Sequence, residues 1–387
     1  MKATSSLIKE TVMNFKPLAD YIDRHLIEEL GIPSIDVRVM QDHKELFRHK
    51  AGHSDRERTT PVVGGEIYDL YSCTKPMTCA SALQLVERGI VGLDDPVYKY
   101  LPEYKNAFVV KNGEKVTVGE KMTVRHLFMM AGGLDYDLRK PDTLELIEAN
   151  PHAGTVEVVN SFARTPLCFE PGERFNYSLC HDVLAAVVES ASGMRFSEFL
   201  RTNIWEPLGM KNISFGFENN GGGVQCARYI YEKGAIKYDP NPNFFAFTDN
   251  YESGGAGIST CVEDYSLFAD AMACGGVGAS GNRILKAETV DLMRTEQLTK
   301  HLKNPAFIFD DYGYGLGVRT QLLKCNGSRS SIGEFGWDGA AGSYIVMDPE
   351  TKLSIFMAMN VLNWPDLMDG RGGHYAVRDL TYQAIGM

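Results

Sequence analysis

The chain has no run of about 20 apolar residues, the length that a membrane-spanning helix requires. The nearest candidate, LSIFMAMNVL at 353–362, has the length and composition of a buried strand. It also lacks an excess of positive charge. Lysine and arginine number 39 against 50 aspartates and glutamates, a net charge of −11, so no nucleic-acid partner is expected. Eight cysteines (Cys73, Cys79, Cys168, Cys180, Cys226, Cys261, Cys274 and Cys325) form no C-x-x-C pair and no evident framework. They read as buried thiols of a reducing compartment. No H-E-x-x-H is present to support a zinc site, and neither a metal nor any other cofactor is expected. The G-x-S-x-G elbow of ordinary α/β-hydrolases is missing too. The N-terminal stretch MKATSSLIKETVMNFKPLADYI alternates polar and apolar residues and has no unbroken apolar core of a signal peptide. On that basis the chain reads as cytoplasmic. It contains no internal repeat and no low-complexity linker.

What remains is an ordinary globular composition, 44% hydrophobic and 23% charged over 387 residues, enough for one large domain or two moderate ones. Helical spacing covers about 5–30 and stops at Gly31-Ile32-Pro33. Residues 35–40 alternate as a strand, with 45–51 as its hairpin partner across Gln41-Asp42-His43. A long helix runs from Ser72 to Gly89. The middle, about 101–247, is mainly helical by pattern, with the clearest segments at 124–131, 156–164, 180–192 and 196–205. Gly221-Gly222-Gly223 marks a loop. After a helix at 262–274, strands return at 314–321, 343–348 and 353–359, the last two joined by turn chemistry at Asp348-Pro349-Glu350-Thr351. The simplest architecture is an α/β (α+β) fold. An antiparallel sheet flanked by helices is built from residues 1–100 and 254–387, and a mainly helical domain, 101–253, is inserted between them. The cleft between the two parts is the default active site.

The chemistry concentrates at Ser72-Cys73-Thr74-Lys75. Positions i and i+3 share a helix face, so the Lys75 amine can reach the Ser72 hydroxyl. A serine becomes nucleophilic when a neighbouring base takes its proton, and a buried lysine of lowered pKa can be that base. Pro76 is tolerated because first-turn N–H groups have no intrahelical acceptor. Roughly one or two S-x-x-K matches are expected by chance in a chain of this size. The other match, Ser6 to Lys9, lies near the N-terminus.

Two further segments belong with it. Pro171-Gly172-Glu173-Arg174-Phe175-Asn176-Tyr177-Ser178-Leu179 places Tyr177 just before a helix; beside a cationic Lys75 its hydroxyl would have a lowered pKa and could shuttle a proton. By itself, a tyrosine in that place reads as a core residue. Gly333 to Ser343 (GEFGWDGAAGS) precedes a strand–turn–strand, where glycines permit close backbone approach and N–H groups can stabilise an oxyanion. By itself, it reads as a tight turn or bulge.

The order S-x-x-K, then a tyrosine motif about a hundred residues on, then a Gly-rich edge strand resembles the serine β-lactamase and penicillin-binding-protein superfamily. The branch most similar is that of class C β-lactamase-related esterases, the family VIII carboxylesterases. The stretches LDDPVYKYLPEY, TVRHLFMMAGGL, FEPGERFNYS, IWEPLGMKN, GGAGISTCVEDYSLFADAM, YGYGLGV and IVMDPETKLSIFMAMN resemble this family's connecting segments, from about Ser5 to the end. Tyr104-Lys105-Asn106 and His152-Ala153-Gly154 match family motifs literally but in the wrong order.

The resemblance implies acyl transfer through Ser72, with Lys75 and Tyr177 as general base and acid and the backbone N–H groups of Ser72 and Ala340 as oxyanion hole. Where antibiotic-related members have Y-x-N and a cationic triplet, this chain has Tyr177-Ser178-Leu179 and Trp337-Asp338-Gly339. Leu179 has no amide for an acylamino group, Trp337 replaces the cation that meets a substrate carboxylate, and Asp338 would repel that carboxylate if it faced the pocket. The expectation is therefore a serine hydrolase of small-molecule carboxylic esters, with Trp337, Asp338, Gly339, Leu179 and Tyr251 around the substrate and Glu252 beside Tyr251 at the rim. The alternatives are a β-lactamase, a D-amino-acid peptidase or amidase, an acyltransferase, and a non-catalytic binding protein. In the amidase reading Asp338 would greet an amino group. The partner is a small ester or amide, and a homo-oligomer stays open. Cys73, His181 and Asp310-Asp311 read as packing, a core or surface histidine, and a solvated turn.

Overall fold

The computed structural model describes residues 13–216, 223–298, 311–324 and 327–387. Ser6 and Lys9, Gly221 and Gly222, Asp310 and Cys325 lie outside the described residues. No described helix is long and apolar enough to cross a membrane.

Seven antiparallel strands form the main sheet: β1 (Ser34–Gln41), β2 (Lys44–Gly52), β3 (Tyr312–Tyr314), β4 (Arg319–Gln321), β5 (Phe335–Asp338), β6 (Tyr344–Asp348) and β7 (Leu353–Ala358), in the order β3-β4-β5-β6-β7-β1-β2. Both chain ends meet where β1 pairs with β7, Val37 opposite Met357. Side chains alternate between two cores, as a period of two requires. Tyr344, Val346, Leu353, Ile355 and Met357 join Ile35, Val37 and Val39 beneath the terminal helices. Ile345, Met347, Phe356 and Ala358 face the larger core on the other side. There the helix Val262–Ala273 packs across β1 and β7.

The helix Thr74–Glu87 is buried on all sides from Thr74 to Leu85. It lies between β5 and the helix Cys180–Ser192. Such placement makes it the axle between the sheet and the helical layer, and explains why its buried face includes Thr74, Lys75, Thr78, Ser81 and Gln84. Helices at Val124–Phe128, Thr155–Phe162 and Phe196–Leu200 complete that layer much as the pattern predicts.

Three expectations change. Among the described residues, the N-terminal helix is α-helical over Lys16–Asp20 alone. It then widens to a π-type turn over Tyr21–Glu29, where Leu30 N–H reaches back to His25 O. The segment 314–321 is two strands, β3 and β4, because Gly315 to Gly317 folds back (Gly317 φ +87°) and Gly315 N–H bonds Val318 O. The middle is also less helical than its pattern. Ile213–Phe215 pairs with Ile258–Thr260, which pairs with Tyr68–Asp69, and Tyr229–Glu232 pairs with both Ala235–Tyr238 and Val361–Leu362. The Tyr-Ile-Tyr alternation before a Lys-Gly turn suits a hairpin, and long-range pairing decides its place.

Candidate active site

Ser72 does not sit in the long helix but on a short 3-10 turn, Tyr71–Cys73, that feeds into it. Tyr71, directly before the serine, is a buried aromatic at φ +46°, a left-handed conformation costly for such a residue. The turn is held from several sides. Cys73 N–H bonds Leu70 O, Ser343 Oγ donates to Leu70 O at 2.8 Å, and Tyr265 OH donates to Cys73 O. A Cβ on Gly339 would stand 2.2 Å from Leu70 O, so only glycine lets β5 run on past the turn that carries Ser72. Gly339 N–H closes on Ser343 O and Trp364 Nε1 donates to Gly339 O at 2.8 Å. Ala340, the next residue, is exposed in that turn, and its N–H has no backbone acceptor among the described residues.

Lys75 is fully buried, with Nζ 3.0 Å from Ser72 Oγ and donating to Gly255 O at 2.7 Å. Burial lowers its pKa to about 8, against the partial support of Asp182. Asp182 is itself buried and its pKa is raised by desolvation. One oxygen accepts from Tyr251 OH at 2.7 Å, Ser253 Oγ at 2.5 Å and Gly255 N–H at 3.3 Å. This carboxylate therefore holds the peptide that holds Lys75.

The Tyr177 ring centroid lies 4.8 Å from Lys75 Nζ. Its hydroxyl accepts from Trp337 Nε1 at 2.8 Å and interacts with the Ser72 side chain. The expected lowering of its pKa is not found. Burial of the phenol pushes it up and outweighs the bonds from Ser72 and Trp337, so Tyr177 is a neutral hydroxyl at ordinary pH. Of the two, Lys75 is the group that titrates near neutrality.

Around these atoms stand aromatic rings. Tyr136 meets Tyr177 and Phe245, each at 5.5 Å, and its centroid is 5.6 Å from Lys75 Nζ. Trp337 meets Tyr177 at 5.4 Å and Tyr314 at 5.3 Å. Phe244, 51% exposed, leans on Tyr71 at 5.4 Å. Sequence reasoning misses Tyr71, Tyr136, Asp182, Gly255, Phe244 and Phe245. The run Asn243-Phe244-Phe245-Ala246-Phe247 is the one visible signal, as an aromatic cluster in a loop.

Asp338 is expected to repel a substrate carboxylate or to greet an amine, and the geometry argues against both. Strand alternation turns it away from the Trp337 side, where Arg371 Nε lies at 3.0 Å and Arg319 Nη1 at 3.5 Å. Burial would raise its pKa, but these two guanidiniums hold it below the usual carboxylate range. Leu179 is buried at the start of the helix Cys180–Ser192. Tyr251 is a buried partner of Asp182, behind Lys75 and not at the rim. Glu252 is buried and pairs with Arg195 and with Ser197, from whose N–H and Oγ it accepts. Cys73 is buried, with its thiol pushed up to about 12. His181 is buried against Phe128 O at 3.2 Å and pushed down to about 3, which removes it as a base. Tyr104 spends its hydroxyl on Val159 O at 2.9 Å.

Known proteins resemble this chain over most of its length. The model of the family described as Beta-lactamase matches residues 19–378. The esterase EstB of Burkholderia gladioli is 26% identical over 382 residues, covering 89% of this chain and 90% of its own. A putative D-alanyl-D-alanine carboxypeptidase of Escherichia coli (strain K12) is 25% identical over 365 residues, covering 86% and 79%. Among solved structures, EstCE1, described as a hydrolase with promiscuous acyltransferase activity, aligns with a TM-score of 0.78 at 24% identity over 95% of this chain and 98% of its own.

Proposed function

This chain belongs to the beta-lactamase family, and from that premise we propose that it is a serine hydrolase of small, neutral carboxylic esters, working through an acyl-enzyme on Ser72. The observation that carries the reading is the junction of Ser72, Lys75, Tyr177 and Trp337. An amine of pKa about 8 lies 3.0 Å from the serine, and an indole N–H fixes the tyrosine hydroxyl beside them. The unprotonated Lys75 amine takes the Ser72 proton as Oγ attacks the ester carbonyl. The resulting ammonium returns that proton through the Tyr177 hydroxyl to the leaving alkoxide, so the alcohol departs neutral. The N–H groups of Ser72 and Ala340 receive the oxyanion, a contribution of several kcal/mol in such sites. Water repeats the sequence in reverse to release the acid.

The walls of the site support this substrate class. Tyr136, Tyr177, Phe244, Phe245 and Trp337 offer aromatic surface, and the Asp338 carboxylate is engaged by Arg371 and Arg319. Esters with apolar acyl or aryl groups suit it better than carboxylate-bearing lactams or D-Ala-D-Ala peptides. Fluorophosphonate labelling of Ser72, with turnover of nitrophenyl esters lost in Ser72→Ala, tests the proposal. A folded sample that neither labels nor turns over would refute it. Acyl transfer is the second reading, favoured by the likeness to EstCE1 and its promiscuous acyltransferase activity; adding an alcohol acceptor and measuring new ester against free acid separates the two. A chromogenic cephalosporin tests the lactamase alternative.

A further inference from the structure

The helix Val262–Ala273 touches the nucleophile turn through Tyr265, near its start. Its other end meets the β1–β2 hairpin. Asp42 and His43 occupy the hairpin turn, both at left-handed φ (46° and 67°). Cys274 caps the helix and Asp270 lies one turn before it. A carboxylate oxygen of Asp42, a ring nitrogen of His43 and the sulfur of Cys274 all lie within 4.8 Å of one another, the one such grouping among the described residues. No local motif announces it, because more than 200 residues of chain separate the hairpin from the helix end.

We infer that Asp42, His43 and Cys274 form a binding site for a borderline divalent cation of the Zn²⁺ class, with Asp270 positioning the imidazole. The donor set supports it: one carboxylate, one imidazole and one thiolate suit Zn²⁺, and neither Ca²⁺ nor Mg²⁺ uses sulfur. An independent observation concerns the histidine. Asp270 is buried, and one of its oxygens lies 2.7 Å from His43 Nδ1 while the other accepts the His43 backbone N–H at 3.1 Å. That is the carboxylate–histidine arrangement that orients an imidazole toward a metal and leaves Nε2 as the ligating nitrogen.

Tetrahedral zinc places its ligand atoms about 3.3–3.8 Å apart, so atoms that lie within 4.8 Å of one another need to close by no more than about 1.5 Å. Asp42 is the one that can move, since its side chain is 59% exposed. Its pair with Lys352, at 2.9 Å and 54% exposed, is of the surface kind that is readily exchanged. The Cys274 proton passes to solvent as the thiolate binds, and water fills the fourth position. A bound ion would staple the hairpin to the helix end.

Cobalt(II) is the probe. The full chain, stripped with chelator and desalted, is titrated with Co²⁺ and then with Zn²⁺. The parent is expected to bind one Co²⁺ per chain with a sulfur-to-cobalt charge-transfer band in the near ultraviolet, displaced by Zn²⁺. Cys274→Ser should lose the band, and His43→Ala should bind at least about tenfold more weakly. Asp270→Asn should weaken binding about tenfold or more, and Cys168→Ser, at the exposed thiol elsewhere, should change nothing. Circular dichroism checks that each variant is folded. Absence of the band in the parent, or its persistence in Cys274→Ser, overturns the inference.

Discussion

Replacing Lys75 by methionine should abolish turnover and yet make the protein more stable at neutral pH. The reason is the fully buried ammonium. Its pKa falls from an ordinary 10.5 to about 8, and each pH unit in that interval weighs about 1.4 kcal/mol. Below pH 8 the folded protein thus carries a penalty on the order of 3 kcal/mol for charging Lys75. Methionine has a similar length and no charge. It forfeits the bonds to Ser72 Oγ and Gly255 O, at about 1 kcal/mol each, leaving a net gain of about 1 kcal/mol. The pH dependence is more telling than the gain. Lys75 has a lowered folded pKa, so between pH 8 and 10.5 the unfolded chain binds the extra proton and the parent's stability rises with pH. Methionine has no such term. The stability difference, variant minus parent, should therefore fall by about 3 kcal/mol between pH 7 and pH 10.5 and reverse sign. Urea unfolding followed by circular dichroism at about pH 7, 8.5 and 10.5 measures it, and taking the difference cancels the other titrating groups. A difference that stays flat across that range refutes the assignment of Lys75 as a desolvated base.

The site supports three more tests. Trp337→Phe keeps the ring against Tyr177 and Tyr314 but removes the Nε1–H donor. A bond worth about 1 kcal/mol should cost about fivefold in kcat with little change in KM, read by steady-state ester kinetics. Gly339→Ala drives a methyl into Leu70 O and Ser343 Oγ, each at 2.2 Å. Because a backbone atom is struck, the expected result is a loss of about 2 kcal/mol or more of stability and collapse of acyl-enzyme formation in burst kinetics. Phe244→Ala removes a half-exposed ring from the rim. It should raise KM for aryl esters about fivefold, the worth of about 1 kcal/mol of aromatic contact, and leave acetyl esters of small alcohols almost unchanged.

Period-two patterning makes β1, β6 and β7 legible from the chain alone, because each is buried on both faces or alternates between the two cores. The approach of Lys75 to Ser72 is legible through helical spacing, and the proposed parts of Tyr177 and Trp337 come from their order along the chain. What stays hidden depends on contacts between distant segments. Nothing near Asp338 in sequence announces Arg371, and nothing near Lys75 announces Gly255 O or Asp182. The direction of the Tyr177 shift is misjudged when proximity to a cation is weighed without the larger cost of burying a phenolate. The hairpin Tyr229–Glu232 with Ala235–Tyr238 sits where pattern suggests helix, since its partner, Val361–Leu362, lies at the far end of the chain.

The seam at Leu70, where Ser343 and Gly339 press against the turn that carries Ser72, divides the molecule into a part that can vary and a part that cannot. Any side chain added along the seam bears on the turn of Ser72 and on the Ala340 N–H together, so the two elements that the proposed mechanism uses share one mechanical fate. New selectivity must then enter from the opposite bank, through the loop bearing Phe244 and Phe245, whose rings lean on Tyr71 of the nucleophile turn. A library confined to residues 241–249 should therefore reshape which esters are accepted while the rate of the chemical step, measured on the smallest ester, stays close to that of the parent.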